Sequence, residues 1–285
     1  SGKLTDTWPA AYSDYPSAEN FGANDGNVDQ EDYTDGIYVG YRYFDTFGVT
    51  PAYEFGYGKS YTTFDIAVDS VTADADKVTV TAKVTNTGDK YSGKEVVEVY
   101  FSAPSGDLEK PYQELAAYGK TDEIAPGESQ TMTISFNTSE MSSYSEDKAA
   151  YIMEAGNYVI RVGNSSRNTT PAAVLNLDEE AVTEQLKNNM SIDRDGKYPG
   201  GSSGEYDDLT VEENVSNFDK LAEEFKEQGA SGKGLESPST EGATQISLAA
   251  ADFVTENPYK EKGVDGSGDT TVYVSATTDE DTAGT

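Results

Sequence analysis

The chain has 285 residues, 35% of them apolar, and a formal net charge of −32 from 52 acidic and 20 basic residues. It contains no cysteine and no histidine, which excludes disulfide bonds, thiol catalysis, zinc sites and any catalytic triad that needs an imidazole. The negative charge disfavours nucleic acid and anionic membranes as partners. No apolar run reaches the roughly 18 residues that a membrane-spanning helix needs.

The first 58 residues are rich in aromatic residues, glycine and aspartate and have little periodicity. Residues 37–44 are mainly apolar and aromatic, and we predict a strand or a buried extended segment there. No signal peptide opens the sequence. Ser1-Gly2-Lys3 is typical of a domain interior, so we expect a fragment of a longer protein.

Short strands separated by turns are predicted from Phe64 to Val162. Apolar residues alternate with polar residues over 78–84 and 132–136, the period of a half-buried strand. The mixed apolar run at 95–101 predicts a central strand, and 156–163 predicts the last one. The pattern indicates a mainly β fold, an antiparallel β-sandwich of immunoglobulin or fibronectin III type over residues 59–168.

The chain after residue 168 is predicted to be partly helical and rich in loops. Asp178 is expected to cap a helix that carries Val182, Leu186 and Met190 on one face. A capping box at Thr210 predicts a second helix.

Residues 169–242 are therefore interpreted as a helical and loop-rich linker region, with a Gly/Ser/Pro-rich end. Residues 243–285 are interpreted as an incomplete element of a neighbouring module, with short elements at 249–253 and 271–274.

Several short sequence motifs in the first 165 residues resemble motifs of family 3 glycoside hydrolases (β-glucosidase type) and occur in the same order as in that family. They are Ser1-Gly2-Lys3-Leu4, Asp6-Thr7-Trp8-Pro9, Tyr12-Ser13-Asp14-Tyr15-Pro16, residues 33–45, 55–64, 84–88, 93–97, 110–115 and 125–129. The resemblance implies three modules in the parent enzyme, namely a (β/α)8 barrel with an aspartate nucleophile, an α/β sandwich with an acid/base glutamate, and a fibronectin-III-like module. Residues 1–58 resemble the end of the α/β module and its connection to the third.

Retaining glycosidases need two carboxyl groups about 5–5.5 Å apart. The family's nucleophile lies in a Ser-Asp-Trp word after a barrel strand, whereas Ser13-Asp14-Tyr15 follows no such strand. We therefore do not expect Asp14 to be a nucleophile. Glu280 is a weak candidate for the acid/base residue, because the tail at 272–280 resembles a diverged copy of the family's motif that contains the acid/base glutamate. The tail fits the start of a barrel domain equally well. We favour a chance match over both of these interpretations.

We expect neither a metal nor a cofactor. The acidic loop at 25–31 lacks the central glycine and the twelfth-position glutamate of a calcium loop, and the one at 193–196 matches such a loop less well. Tyr57 and Tyr61, in the Phe-Gly-Tyr-Gly word, are the candidates for substrate binding in a whole enzyme. The rings of 38–44 are predicted to pack between modules, with Arg42 paired to a carboxylate.

We expect a non-catalytic structural fragment of a family 3 glycoside hydrolase, whose partners are the remaining catalytic modules of the parent enzyme. The alternatives are an extracellular surface or assembly protein that reuses the sandwich and would form oligomers, and a carbohydrate-binding module with a glycan ligand. The expected location is extracellular or at the cell surface, with the cytoplasm as the other candidate.

Overall fold

A computed structural model describes residues 2–18, 35–186 and 235–253. Within those ranges no helix has the length and apolar content that a membrane span requires. One α-helix, α1, covers Tyr41–Thr46, and short 3-10 helices cover Tyr12–Asp14, Thr138–Met141 and Ala250–Asp252. The strands are β1 Phe64–Ala73, β2 Lys77–Asn86, β3 Val96–Ser102, β4 Glu114–Lys120, β5 Ser129–Asn137, β6 Ser143–Ser145, β7 Ala150–Met153, β8 Gly156–Ser165, β9 Asn168–Leu177, β10 Ala181–Gln185 and β11 Thr244–Leu248.

The strands form a two-layer sandwich and a small side sheet. One layer has the order β1-β2-β5 and the other has the order β11-β9-β8-β3-β4. The side sheet has the order β10-β7-β6. All described pairings are antiparallel except that of β11 with β9. The predicted antiparallel sandwich is confirmed, and β3 has the predicted central position.

The core follows from the period-2 patterns of the sequence. Val78, Val80, Ala82 and Val84 on β2 are all fully buried, while the polar residues between them point away from the core. They pack against apolar residues of the facing sheet, including Tyr158, Ile160 and Leu175. The turn before β5 contains Gly127 at φ +77°, a conformation that glycine adopts without strain.

Residues 37–44 are not a strand. Gly40, at φ +60°, begins α1, and Tyr43, Phe44 and Phe47 form a small buried cluster with Tyr38. A short apolar run fits a buried helix as well as a buried strand, so the sequence pattern could not separate the two.

The predicted helix after Asp178 is also wrong. Residues 181–185 form β10, which pairs with β7. Residues four apart lie on one face of a strand as well as of a helix, which is why Val182 and Leu186 were ambiguous. Met190 and the second predicted helix lie outside the described residues.

The sandwich does not end at residue 168, and 156–163 is not its last strand. β9 follows β8 and pairs with it, and β11 then joins the same sheet, so 244–248 are not part of a neighbouring module. The sequence did not predict β9, because Pro171 lies within it and proline is uncommon inside a strand. In the structure Pro171 lies beside a register shift in the pairing with β8. The short element expected at 249–253 is a 3-10 helix, and 271–274 lie outside the described ranges.

Candidate module-joining site and aromatic groove

A buried carboxylate fixes α1 to the sandwich. Asp45 is 1% exposed, and its Oδ1 accepts a hydrogen bond from Arg167 Nε at 2.5 Å. Its Oδ2 accepts one from Gln113 Nε2 at 2.8 Å. Arg167 lies in the turn between β8 and β9, and Gln113 directly precedes β4. Both carboxylate oxygens are thus bound by side chains of the sandwich.

The same two side chains also bind backbone carbonyl groups. Arg167 Nη2 donates to the carbonyl oxygens of Phe44 at 3.0 Å and Val49 at 2.9 Å. Gln113 Nε2 donates to the carbonyl oxygen of Ser166 at 2.7 Å. The last carbonyl groups of a helix have no partner inside the helix. Arg167 therefore both neutralises Asp45 and binds one carbonyl group in the last turn of α1. We call Asp45, Gln113, Ser166 and Arg167 the joining site.

Burial raises the pKa of the Asp45 carboxyl, and the guanidinium of Arg167 is the strongest opposing influence. A buried carboxylate without a partner would cost several kcal/mol. Arg167 is therefore the group that makes a charged Asp45 tolerable at this position.

A second buried carboxylate lies beneath the segment that follows α1. Glu98 on β3 is 4% exposed and accepts a hydrogen bond from Tyr100 Oη at 2.7 Å. Gly56, at φ +83°, passes so close that an added Cβ would lie 2.7 Å from Glu98 Oε2 and 2.7 Å from Ser165 Cα. Only glycine fits both this conformation and this approach. Burial raises the pKa of Glu98, while the hydrogen bond from Tyr100 opposes that shift.

Aromatic rings fill the space beside Glu98. The Tyr41 ring lies 5.2 Å from Phe55 and 5.8 Å from Tyr100, the latter edge to face. The Tyr41 hydroxyl accepts a hydrogen bond from the backbone of Leu115 at 2.8 Å. Arg42 pairs with Glu114 at 2.9 Å, as the sequence predicted. Two neighbouring side chains of α1 thus contact two strands of one sheet.

The N-terminal residues run beside the segment after α1. Leu4 N donates to Tyr57 O at 2.8 Å, Gly56 N donates to Leu4 O at 2.9 Å, and Trp8 forms a bridge with Tyr53. Lys3 Nζ forms an ion pair with Glu95 Oε1 at 3.1 Å. Residues 2–8 are therefore tied both to 53–57 and to the sandwich.

An open groove of about 470 Å³ lies where these two segments meet. Its lining residues, which define the aromatic groove, are Gly2, Lys3, Leu4, Trp8, Tyr53, Tyr57, Gly58 and Lys59. The ring centroids of Trp8 and Tyr53 are 6.4 Å apart, and those of Tyr53 and Tyr57 are 4.8 Å apart. Trp8 is 53% exposed. The exposed rings of the groove can stack on an apolar or sugar face, and the described residues that line the groove include no carboxyl pair of the kind that a retaining glycosidase uses.

The structure separates the residues that the sequence singled out. Tyr57 lines the groove, whereas Tyr61 is 92% exposed and stacks edge to face on Tyr91 outside it. Asp14 lies in a 3-10 turn, where its Oδ2 accepts a hydrogen bond from Ala11 N at 2.8 Å. Asp14 thus stabilises a local turn. Glu280 and both acidic loops lie outside the described residues.

Among the described residues, no cluster of three or more carboxylates has metal-binding geometry. The most consequential residues are those of the joining site, which sequence reasoning missed. Arg167 and Gln113 are 122 and 68 positions from Asp45, so no local spacing connects them.

Comparisons with known proteins agree with this architecture. The fibronectin type III-like domain family matches residues 95–166. β-Glucosidase A of Butyrivibrio fibrisolvens is 41% identical over 213 residues, which cover 67% of this chain and 25% of that protein. A β-glucosidase structure from Paenibacillus barengoltzii superposes with a TM-score of 0.61 at 42% identity, over 65% of this chain and 21% of that one.

A further structure, β-glucosidase 3B of Thermotoga neapolitana, superposes with a TM-score of 0.59 at 43% identity, over 64% of this chain and 25% of that one. The matching residues of this chain belong to a region of the family 3 glycoside hydrolases that contains a fibronectin type III-like domain. The chain spans about a quarter or less of the length of these family 3 β-glucosidases. In them, the region is one part of a larger multi-module enzyme.

We predict that Glu98→Gln changes stability in a pH-dependent way. A carboxyl whose pKa is raised by folding contributes stability below its unfolded pKa of about 4.3, and this contribution is lost as the pH rises through the folded pKa. The free energy of unfolding of the variant, relative to the unsubstituted chain, should therefore be higher at a pH of about 8 than at a pH of about 4. Urea unfolding at both pH values measures it.

The control is Glu123→Gln on the exposed surface, which should change the free energy of unfolding by less than about 0.5 kcal/mol at either pH. A Glu98→Gln difference that stays constant between the two pH values, or falls as the pH rises, contradicts the prediction.

Proposed function

We propose that this chain is a non-catalytic structural part of a β-glucosidase-type hydrolase. In this proposal the sandwich holds residues 35–61 in one fixed position, and that segment and residues 2–18 form the contact with the remaining catalytic modules. The observation that carries the proposal is the joining site, because a partly buried arginine and a buried amide both bind the buried Asp45 and so position one six-residue helix.

The state of the two most deeply buried carboxylates supports a non-catalytic role. A retaining glycosidase needs one carboxylate free to attack and a second free to transfer a proton. Asp45 is bound by Arg167 and Gln113, and Glu98 is bound by Tyr100. Neither lines the aromatic groove. In the described part of the chain these two acids therefore act as internal anchors.

The aromatic groove supports the proposed contact with other modules. Trp8 and Tyr53 are 53% and 41% exposed and lie next to each other in the groove, so a module that covers the groove would bury both rings. We propose that residues 1–58 end the α/β module of the parent enzyme, as their resemblance to that module suggests, and that the rest of the module covers the groove. Carbohydrate binding at Trp8, Tyr53 and Tyr57 is the second candidate role for the same rings.

We expect no turnover when the chain alone is incubated with an aryl β-glucoside, because Asp45 and Glu98 are bound inside the fold and no carboxylate of the described residues lines the aromatic groove. Release of the aryl alcohol is measured against buffer and against the full-length enzyme as the positive control. Turnover that persists through repurification contradicts the proposal. Turnover that is lost in Glu280→Gln would assign the acid/base role to the tail.

Arg167→Ala in the full-length enzyme tests the structural role. It should lower the free energy of unfolding by about 3–5 kcal/mol, because it leaves Asp45 charged and buried without its partner. The kcat per folded molecule should change little at temperatures where the variant remains folded. Thermal unfolding and steady-state kinetics on the same sample measure both quantities.

Arg42→Ala is the matched control, since it removes another arginine–carboxylate pair whose side chains are 39% and 26% exposed. We expect it to cost no more than about 1 kcal/mol. A variant at Arg167 that keeps full stability, or that loses kcat without losing stability, would contradict the structural role.

A further inference from the structure

The strand β11 differs from every other described strand in the way it joins the fold. It pairs with β9 in parallel, in a register that runs from Thr244 opposite Ala173 to Leu248 opposite Leu177. All other described strand pairs are antiparallel. β11 therefore occupies the outer edge of its sheet, beside β9.

The contacts of β11 have the form of a docked segment. Alternate side chains face inward, and Leu248 is 4% exposed in the core while Ile246 packs against the core in part. Asp178 closes the end of the site, since its backbone N donates to Leu248 O at 3.2 Å and its Oδ1 accepts from Ala250 N at 2.8 Å. The register of β11 on β9 is therefore fixed by three features. They are the backbone pairing, the burial of Leu248 and the hydrogen bonds of Asp178.

The sequence distance between β11 and the strand before it is long. Residues 186–243, which number 58, separate β10 from β11. The structure holds Leu186 and Leu235 on the sandwich, and an extended chain spans at most about 3.3–3.6 Å per residue, so the residues between these two are enough to reach beyond one sandwich about 30 Å across. The length of the chain does not confine β11 to the β9 of its own molecule.

An edge strand with unpaired N–H and C=O groups accepts another strand. Extended segments bind such edges through backbone hydrogen bonds, with specificity supplied by alternate side chains. Exchange of an identical element between two copies keeps every contact of the closed molecule. The edge of β9 therefore makes the same contacts whichever copy supplies the strand. These are the backbone hydrogen bonds to β11, the packing of Leu248, and the hydrogen bond from Ala250 N to Asp178.

We propose that the outer edge of β9, from Ala173 to Asp178, is a strand-docking site, and that β11 of a second copy of this chain can occupy it by exchange. Ile246 and Leu248 would determine which segment binds. This site lies apart from the aromatic groove, and it adds an interaction surface that the structural role of the sandwich does not require.

The absence of cysteine from the chain makes a direct test available. Asn176 and Ser247 are exposed and face each other in the register of β9 and β11. One full-length sample carries Asn176→Cys alone and another carries Ser247→Cys alone. The two are mixed and oxidised, and non-reducing gel electrophoresis measures the disulfide-linked heterodimer.

Exchange predicts several-fold more heterodimer in this mixture than in a control mixture of Asn176→Cys with Lys83→Cys, which places an exposed cysteine on the distant sheet. A peptide with the sequence of residues 243–253 should suppress the heterodimer. The same peptide carrying Leu248→Asp should not suppress it.

The double variant Asn176→Cys with Ser247→Cys verifies the register, because it should form an intramolecular disulfide. The proposal is overturned if that disulfide forms while the mixed single variants give no more heterodimer than the control mixture. It is overturned equally if the two peptides suppress the heterodimer to the same extent.

Discussion

The buried carboxylate of Asp45 is the constraint on which the candidate site depends. A charged group with 1% exposure is tolerated only when it is paired and hydrogen-bonded. Its two partners come from the β8–β9 turn and from the residue before β4, which meet only when the sandwich is assembled. α1 can therefore adopt its position only on a folded sandwich. Once it is there, Tyr41 contacts both Phe55 and Tyr100, Gly56 lies against Glu98, and residues 2–8 can pair with residues 53–57.

The sandwich itself was predictable from local patterns, because alternation on β2 and β5 reports burial on one face of a strand. The misassigned elements share a different property. The run at 37–44 fits a helix or a strand equally, the four-residue spacing after Asp178 is common to both periods, and β11 depends on a partner strand more than sixty residues earlier. Each is decided by tertiary contacts that a local pattern does not contain.

The same reasoning explains why the sequence predicted some residues of the candidate site and missed others. Tyr57 was found through a sequence word and lines the aromatic groove, whereas Tyr61 from the same word lies outside it. Asp45, Gln113 and Arg167 could not be found, since ordinary polar residues far apart in sequence carry no signal of their contact. The chemistry that they form is anchoring. In the proposed structural role, this anchoring holds α1 on the sandwich and takes no part in bond cleavage.

Amide hydrogen exchange at α1 tests most directly whether the helix and the sandwich are one cooperative unit. A six-residue helix has no stability of its own, because isolated helices shorter than about 12–15 residues are marginal in water. If the joining site acts as described, the amides of Phe44 and Phe47 exchange with an opening free energy close to that of the β8 core amides. Exchange of those two amides without protection, while β8 stays protected, would contradict the account.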